Sequence, residues 1–397
     1  MKAGNTIYLD YQSTTPVDSR VLATMTPYFS EVFGNPHSAD HCLGWSSAQA
    51  VEEAAAHVAL LIGADPDEIV FTSGATEANN LALLGIGRRA TGGKRRRVLI
   101  SAIEHKCVLV VSRVLKEQLG YVVEQVPVDS EGRIVVPALE DTLRDDVLAV
   151  SIMAVNNEIG TIQDIERLSR IVRGSGAAFH CDAAQAPGAI ELGSMAQQVD
   201  LLSLSAHKMY GPKGIGILFI RRDLQERIEP LVYGGGQQRN LRSGTLPVPL
   251  CVGMGAAALL TMDEGEQGRK AIGCRRDRFV ENLRMLPWPI ALNGPCDKDR
   301  HPGNTNVRFL GFSAHDILST LQPHLAASTG SACTSGIPEP SHVLRAIGLT
   351  RHEAEASIRF SIGRFTSDAH VDDAVKLVGD ALSRLASTQT VTVSTSA

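Results

Sequence analysis

At 397 residues the chain is longer than one hydrophobic core usually serves, so two domains are expected. A composition of 44% apolar and 20% charged residues is that of an ordinary globular protein, and a net charge of −5 argues against a surface that seeks nucleic acid. Seven cysteines, an odd number without a C-x-x-C pair, argue against a disulfide framework or a four-ligand zinc site and suit a reducing compartment. Residues Met1 to Asp10 hold no apolar signal region, and no run of about 18 apolar residues occurs, so a cytoplasmic protein without a membrane span is expected.

Taken in chain order, the first part alternates short β-rich runs with helical stretches. Strands are predicted at 68–72, 98–101, 122–127, 147–154, 177–181, 201–205 and 216–220, with helices at 44–62, 77–89, 108–118 and 165–173. Several of the strands are apolar throughout, as a sheet buried on both faces requires. The pattern predicts a wound α/β fold with a mostly parallel sheet, whose ligands gather at the carboxyl ends of the strands. From residue 262 it changes: a long polar helix at 262–285, a strand at 305–309, a helix at 313–321, a loop at 326–341, a strand at 357–362 and a helix at 371–385. The expected organisation is a large α/β domain over 15–261 and a smaller α+β domain built from 1–14 and 262–385. The Ser/Thr-rich tail 386–397 is expected to be disordered. The basic run Lys94-Arg-Arg-Arg97 reads as a solvated loop or as a docking patch for an RNA, DNA or acidic partner.

Lys208 ends a strand-like run just before a Gly-rich turn, and Asp182 ends another. Such a pair is what pyridoxal phosphate (PLP) chemistry needs: the amine bonds the aldehyde, and the carboxylate keeps the pyridine nitrogen protonated. Thr72-Ser-Gly-Ala-Thr-Glu77 lies between a predicted strand and helix, where small residues let a helix N-terminus approach a phosphate. Ser205 and His207 add donors beside Lys208, and Arg242-Ser-Gly-Thr245 offers a third donor-rich turn. His105 follows a strand, where it can stack on a ring and move protons; neighbouring Lys106 is the rival to Lys208. Asn156 could donate to a carboxylate, and Gln185 would reach a phenolic oxygen if the chain turns there. In Ser357-Ile-Arg-Phe-Ser-Ile362 the alternation puts Arg359 opposite Ile358 and Phe360, so its planar fork can face a cleft and grip a carboxylate. Cys333, set among Ser, Thr and Gly, cannot pack a core there and is expected on an exposed loop, as a nucleophile or redox group.

Together these residues closely resemble the NifS/IscS-type cysteine desulfurases, PLP enzymes of fold type I. The likeness runs from Tyr8-Leu-Asp-Tyr-Gln-Ser-Thr-Thr-Pro16 through Glu104-His-Lys106, Val155-Asn-Asn-Glu-Ile-Gly160, Asp182-Ala-Ala-Gln185 and Ser205-Ala-His-Lys208 to Gly330-Ser-Ala-Cys-Thr-Ser335 and Ser357-Ile-Arg-Phe360. It implies that Lys208 bonds PLP and then acts as base, with His105 stacking on the ring as acid and base. It also implies Asp182 at the pyridine nitrogen, Gln185 at the phenolic oxygen, and Ala75, Thr76, Ser205 and His207 at the phosphate. Thr245 would come from the other subunit of a homodimer, and Asn156 and Arg359 would hold the carboxylate of L-cysteine. Cys333 would take the substrate sulfur as a persulfide and pass it to an acceptor protein. No intrinsic metal site is expected, Cys333 serving at most as a transient cluster ligand. The tail does not resemble the C-terminal segment by which housekeeping members engage their scaffold, which leaves the pathway open among iron–sulfur cluster assembly, tRNA thiolation and DNA phosphorothioation. The alternatives are a selenocysteine lyase, another fold-type I enzyme such as an aminotransferase, and a non-catalytic sulfur-carrier scaffold; the last should have lost Lys208 or Asp182.

Overall fold

The computed structural model describes residues 1–296, 298–330 and 340–394, with side chains to 388. Cys333 therefore lies outside the described residues. Seven strands form the central sheet: β1 (Ile69–Thr72), β2 (Arg97–Ser101), β3 (Val122–Val126), β4 (Val147–Ser151), β5 (Ala178–Asp182), β6 (Leu201–Ser205) and β7 (Gly216–Ile220). Their spatial order is β1-β7-β6-β5-β4-β2-β3, and β7 alone among the seven runs against its neighbours. Every residue of β4 to β7 is buried, as in a sheet covered on both faces.

Helices cover both faces. Leu99 of β2 points into one core with α1 (Cys42–Ile62), while Val98 and Ile100 point into the other with α2 (Ala75–Arg89) and α3 (Lys106–Leu119). The helix α4 (Ile165–Ser175) adds Leu168 and Val172 to the first core. The expected helix at 262–285 is longer: α5 runs Val248–Arg284, bent at Gly265 where φ is 39° and ψ −136°. Its first half is rich in Gly and Ala and shows no amphipathic period, so packing rather than pattern makes it helical. A Cβ on Gly253 would sit 2.5 Å from Met25 Sδ, and one on Gly255 2.8 Å from Ala54 Cα. Gly253 thus lets α5 press against the helix Ser19–Met25, and Gly255 lets it press against α1.

A second, antiparallel sheet joins β8 (Ile290–Leu292), β9 (Asn304–Phe309) and β10 (Ser357–Ser361) in that order. It shares a core with α6 (Ala314–Leu321), α7 (Asp368–Ser394) and the N-terminal Ile7 and Leu9. The strand Thr6–Tyr8 is held there by parallel pairing with Leu325–Ala326. Because α7 continues to Ser394, residues 386–394 are helical where the composition predicts disorder. The hydroxyls of Ser387 and Thr388 donate back to Ser383 O and Arg384 O, which lets these residues prolong the helix. The basic run is likewise no free patch: Arg95 donates to Val147 O and Ser175 O, Arg96 lies over the Tyr121 ring, and Arg97 pairs with Glu124 and Asp146. No helix among the described residues is long and apolar enough to cross a membrane.

Candidate active site

The carboxyl ends of β1, β5 and β6 open into a cavity of about 440 Å³. Ala75, Thr76, His105, Asp182, Gln185, Ser205, His207, Lys208 and Arg359 all line it, brought together from positions up to 284 apart (359 − 75). Asn156 and Thr245 do not.

Asp182 is 4% exposed and closes β5. Its carboxylate accepts from Asn79 Nδ2 at 2.7 Å and from the Ala184 N–H at 2.9 Å, two donors that fix its orientation. Burial, and then the charge of Asp182, push the Glu104 carboxyl well above its usual range, which favours its neutral form. It accepts from the Met153 N–H and braces the turn that carries His105.

His105 caps α3, its Nδ1 accepting from the Cys107 N–H at 3.2 Å. A ring nitrogen that accepts carries no proton, which puts the proton of the neutral imidazole on Nε2. Burial lowers the His105 pKa, Asp182 acts the other way, and Lys208 lowers it again, so the neutral ring prevails at pH 7. Cys107 Sγ lies 3.0 Å from the same Nδ1. Burial, and then Asp182, push its pKa up to about 12, so it is an inert thiol.

Lys208 sits in a 3₁₀ turn (Ala206–Lys208) directly after β6. Its Nζ donates to the carbonyls of Gln12 and Ser13, so the N-terminal segment holds the amine at the cavity. Across from it, α2 starts at Gly74, whose φ of 147° only glycine adopts freely and which supplies no side-chain cap. The first N–H groups of α2 thus keep their donors and the positive end of the helix dipole for an anion. Burial, with Lys208 and Lys213, lowers the His207 pKa to about 4, leaving a neutral imidazole whose Nδ1 lies 3.0 Å from Thr14 Oγ1.

On the remaining side, Arg359 donates from Nη2 to Asp10 Oδ1 at 2.6 Å and to Ser328 Oγ at 2.9 Å, and from Nη1 to Asn157 O at 2.8 Å. The sequence points to the wrong member of the Asn pair. Asn156 is fully buried: its Oδ1 accepts from the Glu158 and Ile159 N–H groups and its Nδ2 donates to Ile103 O. It shapes a turn, and Asn157 is the one that reaches the cavity. Thr245 is exposed elsewhere, beside Phe33 and Pro36. Gln12, whose carbonyl also accepts from Gln185 Nε2 at 2.8 Å, is a cavity residue that the sequence does not single out.

An amine, a supported carboxylate, an uncapped helix N-terminus and a proton-bearing imidazole around one cavity suit an anionic, ring-shaped cofactor and an amino-acid substrate. The family described as aminotransferase class-V matches residues 7–373. The chain belongs to that family. This class-V enzyme is 46% identical over 379 residues to the cysteine desulfurase IscS of Rickettsia akari (strain Hartford), with 96% of the chain and 92% of that relative covered. Among solved structures, a NifS-like protein matches with a TM-score of 0.88 at 35% identity, covering 95% of this chain and 99% of its own. SspA in complex with cysteine matches with a TM-score of 0.79 at 34% identity, covering 91% and 100%. Within class V the chain thus stands with the cysteine desulfurases of NifS/IscS type.

Proposed function

We propose that the chain is a PLP-dependent cysteine desulfurase that converts L-cysteine to L-alanine and takes the sulfur as a persulfide on Cys333. The observation that carries this reading is the joint placement of Lys208, Asp182 and the open N-terminus of α2 around one cavity. These residues fit PLP: Lys208 would hold it covalently, Asp182 its pyridine nitrogen, and Ala75, Thr76, Ser205 and His207 its phosphate. When bound, the cofactor supplies an electron sink that weakens bonds at the substrate α-carbon. Lys208, after β6, and His105, at the start of α3, move the protons, His105 through Nε2. Arg359, with Asn157, holds the substrate carboxylate.

In the net reaction the Cβ–Sγ bond of L-cysteine breaks and Cβ gains a proton to become the methyl of alanine. The sulfur bonds to Cys333 Sγ, and no external oxidant or reductant is needed. The persulfide then passes its sulfur to an acceptor protein, in iron–sulfur cluster assembly or in thiolation. SspA, a structural relative, is known in complex with cysteine, which supports the substrate. A homodimer completes the site in this reading. Thr245 is exposed beside Phe33, and Phe29, Phe33 and Trp45 present their rings to solvent at 62%, 65% and 58% exposure. An apolar surface of that kind suits a second copy of the chain.

The test is stoichiometric. The PLP-loaded protein should release alanine and, with dithiothreitol, sulfide from L-cysteine in equal amounts, and Cys333→Ser should release neither. Normal sulfide release by Cys333→Ser would remove Cys333 from the reaction.

A further inference from the structure

Cys107 is a half-buried cavity residue that the chemistry above does not use, and its neighbours fix the direction of the hydrogen bonds it makes. At one end stands Asp182, whose carboxylate oxygen accepts. The Asn79 side chain therefore turns its NH₂ group that way, with Nδ2 at 2.7 Å from Oδ2. The same Nδ2 lies 3.2 Å from Cys107 Sγ, so the buried amide donates to the sulfur as well. Thr76, one turn earlier on the same face of α2, is a further hydrogen-bond partner of the thiol. At the other end the Cys107 N–H donates to His105 Nδ1 at 3.2 Å, which makes that nitrogen an acceptor. Cys107 Sγ lies 3.0 Å from the same nitrogen. Two groups that share one lone pair must both donate, so the thiol proton belongs to Nδ1. Burial, and then Asp182, keep that proton on the sulfur by pushing the thiol pKa up to about 12.

We propose that Cys107 is a positioning residue for His105, its S–H holding the imidazole neutral with the ring proton on Nε2. Asn79, which binds both the sulfur and Asp182, ties that state of the ring to the carboxylate at the end of β5. The proposal rests on the desulfurase reading for the part His105 plays in turnover, but not for the hydrogen bonds themselves. The sign of the effect follows from the donor. An imidazolium has no lone pair on Nδ1, so a donor aimed there favours the neutral ring and lowers its pKa. Burial lowers it most; Asp182 raises it, and Lys208, His342 and Lys106 lower it. Replacing the thiol by an alkyl group leaves these charges in place and removes the donor, so the pKa rises. One neutral hydrogen bond is worth about three- to tenfold in the protonation constant, or roughly half to one pH unit.

The test uses the PLP-loaded full chain and three variants. Cys107→Ala removes the donor, Cys107→Val removes it while filling the space, and Cys107→Ser puts an O–H donor in its place. Nitrogen-15 NMR of the imidazoles reads the His105 pKa without turnover, the signal being assigned by its loss in His105→Gln. The expected result is a His105 pKa roughly half to one unit above wild type in Cys107→Ala and Cys107→Val, and near wild type in Cys107→Ser. The acid limb of kcat/KM for L-cysteine should move upward by the same amount in the first two variants and return in the third. A His105 pKa that is unchanged or lower in Cys107→Ala and Cys107→Val would overturn the proposal and leave Cys107 a packing residue, whatever the activity does. Wild-type protein that does not turn over L-cysteine would count against the desulfurase reading, while the NMR comparison would still decide the role of Cys107.

Discussion

At the scale of single residues, the Val155-Asn-Asn-Glu-Ile-Gly160 turn separates two jobs that look interchangeable on paper. Asn156 spends its amide inside the protein, capping the N–H groups of Glu158 and Ile159 and donating to Ile103 O. Asn157 faces the cavity and leaves its carbonyl to Arg359. Asn156→Ala should therefore cost about 1–3 kcal/mol of stability, read as a lowered melting temperature or denaturant midpoint. Asn157→Ala should leave stability nearly unchanged and lower kcat/KM for L-cysteine by roughly tenfold, the worth of one hydrogen bond to a charged group. The reverse pattern would restore Asn156 to the site. Two adjacent residues of one type carry no sequence signal for which of them points inward; the turn decides. Gln12 escaped notice for a related reason. Its partners Asn304 and Ser361 lie some 290 and 350 positions away (304 − 12 = 292, 361 − 12 = 349), so nothing nearby in the chain marks its amide as special. Lys208, Asp182 and His105 were legible because each ends or follows a strand, where ligands of a wound sheet collect.

At the scale of elements, the cavity depends on how closely β7 passes the start of α2. A Cβ on Gly216, in β7, would come 2.7 Å from Gly74 Cα and 2.5 Å from Leu204 O. Gly216→Ala should push the N-terminus of α2 away from the phosphate position at an overpacking cost of about 1–3 kcal/mol, enough to weaken PLP binding roughly tenfold. Fluorescence titration of the apoprotein with PLP checks this, and an unaltered affinity would mean that the α2 terminus does not carry the phosphate. Strands 201–205 and 216–220 match their predicted bounds because short runs buried on both faces, rich in Leu and Ile and bounded by turn residues, mark themselves as core strands. The first half of α5 and the strand β8 were invisible for the opposite reason. One is a Gly/Ala stretch whose helix exists through contact with α1, and the other is three residues long, too short for any period. The arginines of 94–97 look like a surface charge run, yet Arg95 and Arg97 are consumed in tying β2 to β3 and β4.

At the scale of the whole molecule, the cavity is assembled from the main sheet, from the N-terminal segment that meets Lys208 and from β10, which supplies Arg359. Asp10 joins these parts: it bridges to Ser361 and ion-pairs with Arg359. The cavity therefore lies where chain segments far apart in sequence converge, and Phe29, Phe33 and Trp45 are exposed aromatic residues. The overall α/β architecture and most of the site were readable from strand ends and motif spacing. The partners of Asn156 and Arg359 were not, since they depend on amide orientations and ion pairs between distant segments. In the proposed function, a cofactor held on Lys208 joins all three scales. Borohydride reduction of the PLP-loaded protein followed by peptide mass mapping examines that directly. A pyridoxyl adduct should appear on the peptide bearing Lys208 and disappear in Lys208→Ala. An adduct on Lys106 or Lys213 instead, or none in a protein that has taken up PLP, would contradict it.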